Sequence, residues 1–99
     1  MDFHHTKDAE HGLFTAQEAG QKAGEVSYSQ TSDNTLVIDH TEVSDAFQGQ
    51  QLGKQLVDQV VDYARQNNLK IVPQCSYAHH LFEKHDRYAD VWQKDGAGA

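Results

Sequence analysis

The sequence predicts a small α/β domain: an antiparallel three-stranded meander, a crossover helix, one parallel strand and a second helix. Three observations predict it. The chain has 99 residues, the length of one domain. Its first half reads with the period of two of a pleated strand, and its second half with the 3.6 period of a helix. Its apolar residues are few but periodic. Leu, Ile, Val and Phe together make 20 of the 99 residues, near the roughly 20% below which chains fail to fold. The domain therefore rests on a thin core, one that a ligand or a second copy would stabilise noticeably.

The elements follow in order. Residues 1–11 are polar and contain His4 and His5, the composition of a frayed or edge segment. Residues 12–18 read as a strand, and Ala19-Gly20-Gln21 as its turn, with Gly20 free to take positive φ. Residues 22–30 alternate. Val26 and Tyr28 fall on one face and Glu25, Ser27 and Ser29 on the other, as in a half-buried antiparallel strand. Thr31-Ser32-Asp33-Asn34 makes the next turn, and residues 35–43 the third strand. From about Gln51 to Asn67 the apolar residues Leu52, Leu56, Val57, Val60, Val61 and Ala64 form one helical stripe, ended by Asn67-Asn68. Leu69-Lys70-Ile71-Val72 reads as a short buried strand stopped by Pro73. Residues 76–85 read as a second helix with Ala78, Leu81 and Phe82 inward; Arg87 to Trp92 then packs back, and 93–99 forms a tail. The single domain spans 1–99, with its core at about 10–92.

Charge narrows the function classes. The net charge is −7, with only eight Lys plus Arg. Nucleic acid needs a cationic face, and an anionic membrane surface needs a basic segment, so neither is an expected partner. No apolar run approaches the ~18 residues of a membrane span. The opening Met1-Asp2-Phe3-His4-His5 lacks the charged and apolar regions of a signal peptide. One cysteine forms no internal disulfide, which makes the cytoplasm the expected compartment. The seven histidines raise the question of metal. His80 and His85, five apart on a helix, diverge by about 140°, so no metal is expected.

The informative stretch is Phe47-Gln48-Gly49-Gln50-Gln51-Leu52-Gly53-Lys54-Gln55-Leu56, between a strand and an amphipathic helix. Unpaired N–H groups at a helix N-terminus, approached by a bare glycine backbone, suit a phosphate or pyrophosphate. An ordinary helix entry that uses two glycines for turning is the alternative. A Walker phosphate loop is excluded, because no Gly-Lys-Ser/Thr occurs.

This stretch resembles the signature loop of the GNAT acetyltransferase superfamily, Gln/Arg-x-x-Gly-x-Gly/Ala, with Gln48 at the first position and Gly53 at the last. More specifically, the chain resembles the minimal YjdJ-type GNAT-like family of about a hundred residues. Three further segments carry that likeness: His40-Thr41-Glu42-Val43, Val72-Pro73-Gln74-Cys75, and Lys84-His85 with Tyr88-Ala89-Asp90. The resemblance covers roughly residues 10–92. One residue departs from it: Gln51 stands where the family has its middle glycine. If that position takes positive φ, Gln51 costs on the order of 1 kcal/mol.

The resemblance implies a GNAT-like splayed sheet and acetyl-coenzyme A as cosubstrate. The pantetheine arm would lie between strands 35–43 and 69–74, ending against Val43. The pyrophosphate would rest on the N–H groups of Gln48, Gly49, Gln50, Gln51, Leu52, Gly53 and Lys54, closest at Gly53. Lys54 would add charge there or stay solvated. The implied function is an acetyl-coenzyme A-dependent N-acetyltransferase acting on an unidentified amine, small molecule or protein. A non-catalytic acetyl-coenzyme A-binding or sensing module is the alternative. The protein would be a monomer or a weak homo-oligomer.

Amide formation needs a base for the amine proton and a proton source for the thiolate. His40 and Glu42 lie about 7 Å apart on one strand face, and either would hold the amine or act through water; His40 is equally a hydrogen-bonded sheet residue, and Glu42 a surface carboxylate. Cys75 would accept the acetyl group or simply pack, with His79 and His80 near enough in sequence to lower its pKa. Tyr77 is a weaker candidate, as the acid for the departing thiolate.

Overall fold

The computed structural model describes residues 1–93. A five-stranded mixed sheet runs in sequence order: β1 (Asp2–Lys7), β2 (His11–Glu18), β3 (Gln21–Ser32), β4 (Thr35–Val43) and β5 (Lys70–Pro73). The helices are α1 (Leu52–Gln66) and α2 (Ser76–Lys84), with short 3-10 turns at Asp45–Phe47 and Asp86–Tyr88. β1 to β4 form an antiparallel meander, and β5 pairs with β4 in parallel. The meander thus has one strand more than expected. The polar segment at the start is an edge strand, in register with β2 from Asp2 opposite Gln17 to Lys7 opposite Gly12. An edge strand exposes one side, so its polar composition suits it.

β1 docks through aromatic rings. His5 stacks on Phe14 at 4.0 Å between centroids, and its Nε2 lies 2.7 Å from the Tyr28 hydroxyl. Gly12 makes room for Tyr28, since a Cβ on Gly12 would lie 2.1 Å from Cζ of the ring. The β2–β3 connection is a two-residue loop, Ala19-Gly20, both at positive φ (52° and 79°), the conformation that matches strand twist.

The predicted helical stripe is the core. Leu52, Leu56, Val57, Val60, Val61 and Ala64 are all buried against Val26, Tyr28, Leu36, Ile38 and Ile71, each Leu or Val contributing about 1.5–3 kcal/mol. The helix ends as expected at Asn67 and Asn68, the latter left-handed at φ 58°. Ala78, Leu81 and Phe82 of α2 are buried in the same cluster. The return after α2 is a single parallel bridge: Ile71 N–H donates to Val91 O (2.6 Å) and Gln93 N–H to Ile71 O (2.8 Å), which covers the outer edge of β5. Gln93 is therefore anchored; the rest of the expected tail lies outside the described residues.

Two irregularities shape the region after the meander. The β4–β5 ladder runs only from Thr35–Lys70 to Ile38–Pro73. Beyond it, one bond remains, from Cys75 N–H to Ile38 O at 3.0 Å, before the chain turns into α2. β4 continues to Val43, so the two strands part there. Opposite this point the β3–β4 register slips between Ser27 and Tyr28, so that Asp39 is bulged out.

Candidate functional site

Where the strands part there is a cleft of about 310 Å³, lined by Thr41 and Val43 of β4, by Phe47, Gln48, Gly49, Gln51, Leu52 and Gly53 of the loop and helix start, and by Tyr77 of α2. Strand alternation delivers the first two. Thr41 is in register with buried Val26, and Val43 with Gly24, where a Cβ would reach Leu52 and Leu56 of α1. Both therefore face α1.

The loop bends by left-handed residues. Gly49 has φ 86°, and Gln51, the N-cap of α1, has φ 59° and ψ 26°. The position where a family glycine was expected is thus one that favours glycine, and Gln51 bears the backbone strain. No side chain caps α1; the first intrahelical bond runs from Gln55 N–H to Gln51 O at 3.1 Å. The N–H groups of Leu52, Gly53 and Lys54 precede it and have no partner further up the helix. They open at the positive end of the helix dipole, which suits an anionic group.

Six of the residues named as cofactor contacts line the cleft: Val43, Gln48, Gly49, Gln51, Leu52 and Gly53. Two do not. Gln50 is exposed beside it, and the Lys54 amino group lies 3.4 Å from Asp58 Oδ2, one turn along α1. Gly53 has in addition a neighbour that the sequence did not indicate. Its missing Cβ faces the Tyr77 ring, because an added one would lie 2.9 Å from Cε2, Cζ and the hydroxyl oxygen of that ring.

The three candidate catalytic residues are separated. His40 and Glu42 do share a strand face, with Nε2 and Oε2 3.7 Å apart and side chains 62% and 61% exposed. That face is the one opposite the cleft, since Thr41 between them points inward. Cys75 is half-buried beside the cleft rather than in its lining, with Sγ 3.6 Å from Thr41 Oγ1. His79 does not turn to it: its Nδ1 lies 3.5 Å from Glu83, and its ring is edge-on to Trp92.

Tyr77 is 39% exposed. Burial first, then the charge of Asp58 and the neighbouring Cys75, push its phenol above the usual value. It therefore keeps its proton through neutral pH. Sequence reasoning quoted Thr41 and Phe47 within its motif segments but gave neither a role in the site; the period-two count from Val43 back to Thr41 would have found the first.

Among the described residues no group of three or more His, Cys, Asp or Glu is placed to hold a metal ion, and no helix is long and apolar enough to cross a membrane.

The family model for GCN5-related N-acetyl-transferases matches residues 13–91. Among solved structures, the chain is similar to a GCN5-like protein from Staphylococcus aureus determined by NMR. The two are 35% identical, with a TM-score of 0.68, over 96% of this chain and 94% of that one. A GNAT family acetyltransferase from Elizabethkingia anophelis, solved with acetyl-CoA bound, is 24% identical at a TM-score of 0.61, over 76% of this chain and 52% of that one. An aminoglycoside acetyltransferase from an uncultured soil metagenomic sample, solved with sisomicin, is 17% identical at a TM-score of 0.63, over 78% and 57%. The chain thus spans little more than half the length of these last two, and at such identities they show the fold alone. No curated protein matches the sequence.

Proposed function

The chain belongs to the GCN5-related N-acetyltransferase family, and from that membership we propose that it is a minimal, YjdJ-type member that transfers an acetyl group from acetyl-coenzyme A to an amine of a small molecule or protein in the cytoplasm. The observation that carries this reading is the coincidence of three features at one place: the parting of β4 and β5, the left-handed loop at Gly49 and Gln51, and the open N-terminus of α1.

The residues present fit the cosubstrate. The helix end has no side-chain cap, and the space beside Gly49 is open, with nothing within 4 Å of a Cβ built there. The N–H groups of residues 49–54 would hold the pyrophosphate, and Thr41, Val43 and Tyr77 would flank the pantetheine arm. When bound, the cosubstrate supplies an activated thioester. Tyr77, which lines the cleft and keeps its proton at neutral pH, would donate it to the departing thiolate. His40 and Glu42 lie on the far face of the sheet, just beyond the last β4–β5 ladder pair at Ile38 and Pro73. They would take the amine proton from that side, directly or through one water.

The competing reading is a binding module without turnover. It is favoured by the exposure of His40 and Glu42 and by their facing away from the cleft. Thermal unfolding with acetyl-coenzyme A, followed by mass spectrometry of candidate amines, tests both readings. At about 100 times the dissociation constant the ligand should add about 2.7 kcal/mol, a rise of roughly 10 °C or more for a domain of this size. No shift at millimolar ligand refutes both readings. A shift without transfer to any amine leaves the module.

A further inference from the structure

We infer that Gly53 and Tyr77 form a pair that sets the width of the cleft, with the bare Cα of Gly53 as the seat of the Tyr77 ring. Position 53 is the second residue of α1. Helical backbone there makes no demand for glycine, and glycine costs a helix stability relative to alanine. The structure shows what a methyl group would meet there. A Cβ on residue 53 would lie 2.9 Å from three atoms of Tyr77, among them the hydroxyl oxygen.

The ring is the part that would yield. It is 39% exposed and tethered at one end, whereas α1 is held from beneath by buried Leu52, Leu56 and Val57. To reach an ordinary contact of 3.4 Å it must retreat by about 0.5 Å. Gly53 and Tyr77 both line the cleft opposite Thr41 and Val43. An added methyl and a displaced ring therefore both take space from whatever lies between the walls, and the phenol hydroxyl leaves its place. The bare Cα of Gly53 on this account positions Tyr77, while its N–H stays with those that face the phosphate.

The inference rests on the reading that acetyl-coenzyme A occupies the cleft, and a double-mutant cycle tests it with and without that ligand. By calorimetry, Gly53→Ala should weaken acetyl-coenzyme A about tenfold in the parent, but less than about twofold in a Tyr77→Ala background, where the ring is gone. Equal losses in the two backgrounds would mean that Gly53 faces the ligand itself, and no loss in either would mean that the cleft is not narrowed; both outcomes overturn the pair. The second measurement is the Tm of the ligand-free proteins. With Tyr77→Ala in place, Gly53→Ala should raise Tm by about 3 °C through helix propensity, and by clearly less when the ring is present. Equal gains overturn the seat. If the parent does not bind acetyl-coenzyme A, the proposed function falls, and the Tm cycle still decides the pair.

Discussion

Replacing Gln51 with glycine should stabilise the protein and leave its cleft at least as good. Gln51 caps α1 with φ 59° and ψ 26°. A residue with a Cβ in this region brings it against the neighbouring carbonyl oxygen, at about 1–2 kcal/mol. The side chain is exposed and makes no capping bond, so its loss gives up little. Glycine also loosens the unfolded chain, which offsets about 0.4–1 kcal/mol of the gain. The net is about 0.5–1 kcal/mol, or roughly 2–8 °C in Tm for a domain near 100 residues. Thermal unfolding followed by circular dichroism measures it, with Gln51→Ala alongside. Alanine removes the same side chain but keeps the Cβ, so it should fall at or below the parent while glycine rises above both. If the two variants move together, the backbone is not the source of the strain; a lower Tm for Gln51→Gly refutes the reasoning outright. Affinity for acetyl-coenzyme A should be unchanged or tighter, because the loop keeps its bend. A weaker affinity would show that the Gln51 side chain makes a contact.

Three further outcomes are expected. Ala19→Asn should raise Tm by a few degrees, because Ala19-Gly20 is a two-residue loop with both residues at positive φ, which Asn-Gly adopts more readily; a fall in Tm would show that the loop is not under this constraint. His5 is held below its usual pKa of 6.5, by burial first and by Lys7 second. The unfolded chain therefore takes up the proton before the folded one does, and stability falls as pH drops from above 6.5 through the lowered value. His5→Phe keeps the stack on Phe14, so the Tm difference between about pH 7.5 and about pH 5 should shrink; an unchanged difference counts against His5. Cys75 should take no acetyl group from acetyl-coenzyme A, since its Sγ is turned to Thr41. Cys75→Ala should keep binding within about tenfold, because the loop supplies most of the anchoring, while His40→Ala loses about 10²-fold in turnover. An acetyl mass on Cys75 would replace the direct route with an acyl-enzyme.

Most of the fold was legible because its information is local. The stripe from Leu52 to Ala64 and the alternation around Val26 and Tyr28 are each set by the period of one element, and each element buries the face that its pattern shows. β1 was less so. Its apolar content is Phe3 alone, packed against the core, and beside it docks His5, a polar residue in the sequence that serves in the structure as a flat ring against Phe14 and Tyr28. Residue type alone does not disclose that use, because an imidazole held neutral by its surroundings packs as an aromatic while a charged one does not.

The site divides along the same line. The loop was found from its glycines ahead of a helical stripe and from its resemblance to the GNAT signature, both written on one segment. Which way its neighbours point depends on geometry that crosses segments. His40 and Glu42 share a face, as any two strand residues two apart do. That this face is turned from the cleft follows only once the register pairs Thr41 with buried Val26. Gly53 is the sharper case. Nothing at residues 48–54 distinguishes a glycine needed for a close-lying phosphate from one needed for a close-lying ring, since both demands are for a missing Cβ. The distinguishing residue, Tyr77, lies 24 positions further on in α2 and meets Gly53 only because the short β5 ends at Pro73 and brings α2 across the start of α1. A motif written on one segment records that a side chain is absent, and the tertiary contact supplies the reason.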